Sequence, residues 1–202
     1  MRRTGWIVGA ASAVLVAAGG VTFAVAGDDG PGVGAPAASS ADAGFARDMA
    51  VHHQQAVEMS YVVRDGTDDV EVRRLAYDIA QTQANQRGML LGWLDLWGLP
   101  KVSADPPMTW MGMGSAPSKG DGSLMPGMAT TAEMRRLGGL RGRQAEVYYL
   151  RLMTEHHRGG VHMAEGCAER CTVGAERRLA RGMVESQESE IRLMADMLRE
   201  RS

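Results

Sequence analysis

Residues 45–60 read FARDMAVHHQQAVEMS, and residues 149–164 read YLRLMTEHHRGGVHMA. The two stretches align without gaps at an offset of 104 residues and share the pattern Met-x-x-His-His-x-x-x-Val-x-Met. Further identities keep the same register, such as RRLA at 73–76 and again at 177–180. A repeat of this length indicates that one structural unit occurs twice.

Each copy has the pattern of a helical hairpin. The shared positions fall in two clusters, each with the three-to-four-residue spacing of an amphipathic helix. Between the clusters lie DGTDD at 65–69 and CTVG at 171–174, which are typical turn sequences. Because one hairpin cannot bury its own apolar stripe, two hairpins predict an all-α four-helix bundle. We expect helices at about 43–65, 69–97, 141–170 and 174–200.

A long crossover joins repeat one (45–98) to repeat two (141–202). It covers residues 99–140 and is rich in Met, Gly and Pro, which suits a bundle with one long connection. Its prolines exclude helix from most of this length. Thr130 and Glu133 form a capping-box pattern, which predicts one short helix near the end of the crossover.

The N-terminus has the pattern of an export segment. Two arginines precede an uncharged stretch that ends in Ala-Val-Ala at 24–26, which predicts a signal peptide over 1–26. The apolar run is also long enough for an N-terminal membrane anchor. Residues 27–42 are rich in Gly, Pro, Ala and Ser and predict a flexible linker ahead of the bundle at 43–202. We expect an extracytoplasmic protein, either secreted or anchored to the outer face of the cytoplasmic membrane, that contacts membrane only through this segment.

Composition excludes several classes of protein. The chain has 202 residues, 45% of them hydrophobic, which excludes full disorder. Aromatic residues make up 5%, and helix formers dominate the composition, which disfavours a β-sandwich or barrel. With 22 basic and 24 acidic residues and no basic tract, nucleic acid is not an expected partner.

The repeated motif places imidazoles and thioethers on one helix face. At about 100° per residue, Met49, His52 and Met59 share a narrow stripe, with His53 on its flank. The second copy repeats this arrangement. Soft sulfur with imidazole favours copper, particularly Cu(I), over magnesium, calcium or manganese. The candidate metal ligands are Met49, His52, His53, Met59, Met153, His156, His157 and Met163.

Packing is the alternative explanation of this stripe. Methionine is a common core residue, and a buried His can simply be hydrogen bonded. Retention of the motif in both copies, while most other positions differ, favours metal binding because packing alone seldom requires His. No Glu-x-x-His or His-Glu-x-x-His occurs, which disfavours a diiron site and a zinc-protease site.

Two polar residues on the second helices are candidate supporting groups. Gln86 and Glu190 occupy equivalent positions within apolar stripes. Each could bind the second ring nitrogen of a ligating His, or could reach water at the bundle end.

Other soft side chains are candidate accessory ligands. An exposed strand has no core to fill, so the thioethers of the crossover could capture Cu(I), cover the bundle end as a lid, or dock loosely on the bundle. Cys167 and Cys171 lie one helical turn apart and predict a local disulfide in an oxidising compartment, or two further thiolates if reduced. The crossover methionines are Met108, Met111, Met113, Met125 and Met128.

The paired Met-x-x-His-His motifs, together with MPGM at 125–128, resemble the domain-of-unknown-function family 305 (DUF305), which has CopM-like copper-binding members. The likeness covers about residues 43–200. It implies a ferritin-like helical bundle, export, and in some members copper binding through the Met and His positions. Relatives often carry Pro-His-His-Gln where this chain has TEHHR at 154–158. We expect Arg158 to oppose a bound cation and to make the two copies unequal.

The function expected from the sequence is non-catalytic binding of copper. The protein would sequester Cu(I) or hand it over, without an organic cofactor, and a copper donor or acceptor protein would be its partner. No acid/base pair or positioned nucleophile is evident. The alternatives are a ferritin-like metal-dependent redox enzyme and a metal-free interaction module that presents the Met-rich crossover.

Overall fold

A computed structural model describes residues 34–113 and 121–201. The expected signal peptide or anchor at 1–26 and the first part of the linker lie outside the described residues. Within the described ranges the chain forms five α-helices and one 3₁₀ turn, with no strand, which confirms the all-α prediction. The helices are α1 (Ala41–Gly66), α2 (Val70–Leu96), α3 (Thr131–Gly139), α4 (Gly142–Arg170) and α5 (Gly174–Glu200).

The helices form the predicted four-helix bundle. α1 pairs with α2, α4 pairs with α5, and the two hairpins meet through α1 and α4. α3 is the short crossover helix, and it packs on α1 and α4. The bounds of the four long helices lie within about two residues of those expected from periodicity.

Local capping explains where three of the helices begin. The Ser40 side chain accepts a hydrogen bond from the backbone N–H of Ala43 and starts α1. Asp69 caps α2 in the same way. At α3 the predicted capping box is present, with Thr130 and Glu133 each accepting from the other's backbone N–H.

Two acidic residues tie the hairpins together at opposite ends. Asp42, in the first turn of α1, accepts hydrogen bonds from the backbone N–H groups of Thr172 (2.8 Å) and Val173 (2.7 Å), directly before α5. Glu146, at the equivalent position in α4, accepts one from the Thr67 hydroxyl (2.6 Å), directly before α2. Each hairpin therefore holds the turn of the other. These contacts cross 79 to 131 residues of chain.

One buried carboxyl makes stability depend on pH. Burial, together with the nearby Asp42 charge, raises the pKa of Glu176 from 4.5 to about 9. The folded chain then keeps a proton that the unfolded chain has lost, so the free energy of unfolding falls as pH rises from about 4.5 to about 9.

We therefore expect Glu176→Gln, which cannot ionise, to raise Tm by several degrees at pH 9 and to change it little at pH 4.5. Thermal unfolding followed by circular dichroism at the two pH values measures the difference. Glu188→Gln, at an exposed position on the same helix, is the matched control and should change Tm little at either pH. An equal Tm change at both pH values for Glu176→Gln would contradict this account.

Candidate metal centre

Two imidazoles meet at the centre of the bundle. His52 on α1 and His156 on α4 are both fully buried, and their ring centroids lie 3.8 Å apart with the ring planes inclined by 33°. The inward helix faces expected from the repeat bring them together because α1 packs directly against α4. The His pair therefore lies at the contact between the two repeats.

The other two imidazoles turn toward the second helix of their own hairpin. His53 and His157, on the flank of the stripe, are also fully buried. His157 Nε2 lies 2.7 Å from Glu190 Oε2 on α5. The Gln86 side chain on α2 is the polar neighbour of His53. Both residues singled out as candidate supporting groups thus face a motif His.

Hydrogen bonding determines which ring nitrogen carries the proton. His52 Nε2 lies 3.2 Å from the carbonyl oxygen of Pro126, and His156 Nε2 lies 3.1 Å from that of His52. A carbonyl only accepts, so Nε2 donates and the lone pair of each neutral ring is on Nδ1. His157 Nε2 likewise donates its proton to a hydrogen bond, here with the Glu190 carboxylate. The Nδ1 atoms of all three rings are buried and have no hydrogen-bond partner among the described residues.

Burial keeps the imidazoles of His52, His53 and His156 neutral. It lowers the pKa of His52 and His53 to about 3 and that of His156 well below its ordinary value, and the neighbouring imidazoles lower each further. Neutral imidazole is the form that binds metal ions. At physiological pH the site therefore needs no deprotonation step at these three rings.

Thioethers flank the His pair on both sides. Met49 and Met163 lie in one core cluster, and Met59 and Met153 lie in the other; all four are fully buried. Since α1 and α4 run antiparallel, each cluster receives one thioether from each repeat. Motif thioethers therefore lie on both sides of the His pair along the bundle axis.

The imidazoles do not form a three-ligand site by themselves. The thioethers therefore help to decide which kind of metal ion the site could bind. Within the described ranges, the only group of three His, Cys, Asp or Glu ligand atoms lying within 4.8 Å of one another is Cys167, Cys171 and Glu176. A metal at the His pair would therefore draw on sulfur, which favours a soft ion.

The crossover covers the His pair. The Pro126 carbonyl binds His52, and the Gln55 side chain both donates to the carbonyl of Ala129 (2.9 Å) and accepts from its N–H (2.7 Å). Gly127 has a φ of +78°, and the backbone at Pro126 passes so close to α4 that a Cβ on Gly159 would lie 1.9 Å from the Pro126 oxygen. Only glycine at these two positions permits this approach.

The expectation of an exposed crossover strand is wrong for most of its methionines. Met108 and Met125 are buried in the core cluster, and Met111 and Met128 pack against it. Asp48 on α1 anchors the segment because its carboxylate accepts hydrogen bonds from the Met108 N–H and the indole of Trp110. Docking on the bundle therefore accounts for four thioethers, while Met113 stays 37% exposed.

The two cysteines form a disulfide in the structure, in agreement with the first interpretation of their spacing. Cys167 and Cys171 are both buried in the same core cluster as Met163. As a disulfide, neither sulfur is a thiolate, so they do not act as accessory ligands in this state.

Arg158 lies on the outer face of α4. Its side chain is 59% exposed and pairs with Glu155, so solvent and the paired carboxylate screen its charge from the interior. The difference between the copies lies instead in Glu190 and Gln86, since one copy places a carboxylate beside its His and the other an amide.

Two buried amides were not among the predicted site residues. Gln83 and Gln187 occupy equivalent repeat positions, and each is 3% exposed. Their side-chain nitrogen and oxygen atoms have no hydrogen-bond partner among the described residues. Gln187 lies against Gly160, where its Oε1 would be 2.4 Å from an added Cβ. Their identity in both copies, one turn before Gln86 and Glu190, was the available signal.

The sequence profile of DUF305, a domain of unknown function, matches residues 42–198. The chain belongs to the DUF305 family. A DUF305 crystal structure from Streptomyces coelicolor, of a protein proposed to be secreted, has 81% identity and a TM-score of 0.77, covering 82% of this chain and 96% of that one. A DUF305 fragment from Deinococcus radiodurans has 31% identity and a TM-score of 0.66, covering 79% and 96%.

A more distant solved structure shares the fold. CopM in its Cu(I)-bound form has 19% identity and a TM-score of 0.60, covering 79% of this chain and 96% of that one. No curated protein matches this DUF305 chain significantly. None of the helices in the described part is long and apolar enough to cross a membrane.

We expect Gly159→Ala to destabilise the covering segment, because its Cβ would collide with the Pro126 backbone. Overpacking of this kind costs about 1–3 kcal/mol, which should lower Tm by several degrees. Amide hydrogen exchange at Ala129 should also become faster, since Gln55 would lose its hold on that N–H.

Gly182→Ala is the matched control for this substitution. Gly182 lies within α5 with no atom near its Cβ position, so alanine there should stabilise by about 0.5–1 kcal/mol. Equal Tm changes for the two variants would contradict a close approach at Gly159.

Proposed function

We propose that this DUF305 protein is an exported, non-catalytic copper-binding protein that sequesters Cu(I) or hands it over. One observation carries the proposal. The imidazoles of His52, His156 and His157 are buried, and each has a hydrogen bond at Nε2 but none at Nδ1. The core around them holds methionine sulfur on both sides. A buried acceptor without a partner costs about 1–3 kcal/mol, and a bound metal ion would offset that cost. The ligands would come from the eight Met and His residues of the repeated motif.

The donor set favours Cu(I) over other ions. Magnesium, calcium and manganese prefer oxygen, and zinc uses imidazole but rarely thioether. CopM has been solved in Cu(I)-, Cu(II)- and Ag-bound forms and shares this fold. That likeness supports copper as the cargo of this chain at the level of the fold.

The closed setting of the site suits storage or transfer. A bound ion would lie beneath the segment at 125–129, so entry and exit require that segment to move. No positioned nucleophile with a base lies among the motif residues. A disulfide and the N-terminal export pattern both fit a protein that works outside the cytoplasm.

Glu190 should strengthen copper binding at the centre that the two repeats share. Glu190 accepts from His157 Nε2, which adds negative charge near a bound ion. Gln86 gives the first repeat an uncharged neighbour instead. The second repeat therefore favours the cation more than the first, which is the reverse of the expectation from Arg158.

Replacing the motif ligands should abolish tight Cu(I) binding. The variant His52→Ala/His53→Ala/His156→Ala/His157→Ala should no longer compete with a chromophoric Cu(I) chelator. Because four cavities can disturb the fold, Met49→Leu/Met153→Leu provides a second variant that keeps side-chain volume. It should weaken Cu(I) binding about tenfold or more while helicity is unchanged.

His162→Ala is the matched control, since His162 lies on the same helix but is exposed. It should bind Cu(I) as the unmodified protein does. Unchanged affinity in both ligand variants would reject the site.

Exchanging the supporting residues should change the affinity of the shared centre. We expect Glu190→Gln to weaken Cu(I) binding on the order of 10- to 100-fold, and Gln86→Glu to strengthen it. Chelator competition on each variant, with helicity measured in parallel, gives the affinities. If Glu190→Gln leaves the affinity as it was, the hydrogen bond to His157 has no part in metal binding.

A further inference from the structure

A second cluster of potential ligands lies at the end of the bundle where α4 meets α5, one helical turn beyond Met163 of the repeated motif. The sulfur atoms of Cys167 and Cys171 and a carboxylate oxygen of Glu176 all lie within 4.8 Å of one another. All three residues are buried, with Glu176 fully excluded from solvent. Among the described residues no N–H or hydroxyl group donates to either Glu176 oxygen; the carboxyl instead faces Asp42, to which it can donate its proton.

Two acidic side chains close together in the core are costly unless they serve some state of the protein. Burial and the nearby Asp42 charge both disfavour the ionised form of Glu176. Asp42 itself accepts hydrogen bonds from the N–H groups that precede α5 and from the hydroxyl of Thr172. A cation bound in another state of the cysteines would remove this cost, because its charge favours the carboxylate form of Glu176.

We propose that reduction of the Cys167–Cys171 disulfide opens a binding site for a thiophilic divalent cation such as Zn²⁺, with the two thiolates and the Glu176 carboxylate as ligands. The three-residue interval between the cysteines falls within the spacing of zinc-binding Cys pairs. Cysteine sulfur and glutamate oxygen are both zinc ligands, and three of them leave the fourth tetrahedral position open. The disulfide closes the site in an oxidising compartment.

The redox step needs a dithiol reductant. One thiolate of the reductant attacks a cysteine sulfur, the S–S bond breaks, and a mixed disulfide forms. The second thiol of the reductant then displaces the remaining cysteine, so two electrons and two protons reach the chain and the reductant becomes a disulfide. Binding of the cation afterwards displaces the protons of both thiols and of the Glu176 carboxyl into water.

The site does not depend on copper binding at the His pair. Its ligands lie outside the repeated motif, and it opens on reduction rather than on movement of the segment at 125–129. The copper proposal can therefore be rejected without rejecting this one, and this one can be rejected without rejecting the copper proposal.

Titration of the whole protein with Cd²⁺, before and after reduction by a phosphine, tests the proposal. The thiolate-to-metal charge-transfer band in the ultraviolet should appear in the reduced protein with one Cd²⁺ per chain and should be absent from the oxidised protein. Glu176→Gln should weaken Cd²⁺ binding by about tenfold or more, as loss of one ligand predicts. The variant with all four motif histidines changed to Ala should keep the band.

Two controls make the result decisive. Glu169→Gln, at a 73% exposed position on α4, should bind Cd²⁺ as the unmodified protein does. Alkylation of the reduced cysteines should abolish the band while circular dichroism still shows a folded chain. The proposal is overturned if the reduced protein binds no Cd²⁺, if Glu176→Gln binds it equally well, or if reduction alone unfolds the helices.

Discussion

The contact between His52 and His156 is the interaction on which the rest of this molecule depends. Two uncharged imidazoles pack against each other at the crossing of α1 and α4, where an aliphatic pair would ordinarily be the more stable choice. Each ring satisfies its Nε2–H with a carbonyl oxygen and leaves Nδ1 without a partner. A core built in this way keeps unpartnered polar ring nitrogens in its interior at some cost in stability.

The crossover is part of this arrangement because it supplies one of the two carbonyls. Residues 125–129 reach His52 only because Gly159 and Gly127 let two backbones approach closely. Gln55 then holds the segment from the other side. The equivalent of Gln55 in the second repeat is Gly159. At this position the first repeat holds the segment by side-chain hydrogen bonds, whereas the second repeat has no side chain and lets the segment approach its backbone. This difference shows how a duplicated hairpin can become asymmetric around a shared centre.

The acidic residues include one pair that is the same in both repeats and one position at which the repeats differ. The acid pair Asp42 and Glu146 keeps the twofold relation, and each residue secures the turn of the other hairpin. Glu190 and Gln86 break it, since one presents a carboxylate to its His and the other an amide. The second hairpin alone carries the disulfide, where the first has Val63 and Thr67. Structural contacts are thus shared by both copies, while the groups that would tune a ligand differ.

Sequence alone determined the helices, the repeat and the inward position of the motif, because helical periodicity and capping are local properties that a short window contains. It could not determine which nitrogen of His52 is free, or that Met108 and Met125 belong to the core. Those outcomes depend on contacts between residues far apart in the chain, such as His52 and Pro126, 74 positions apart. Only the packing of the two hairpins and the docking of the crossover between them decide such contacts, since no local pattern encodes the partner of a buried side chain.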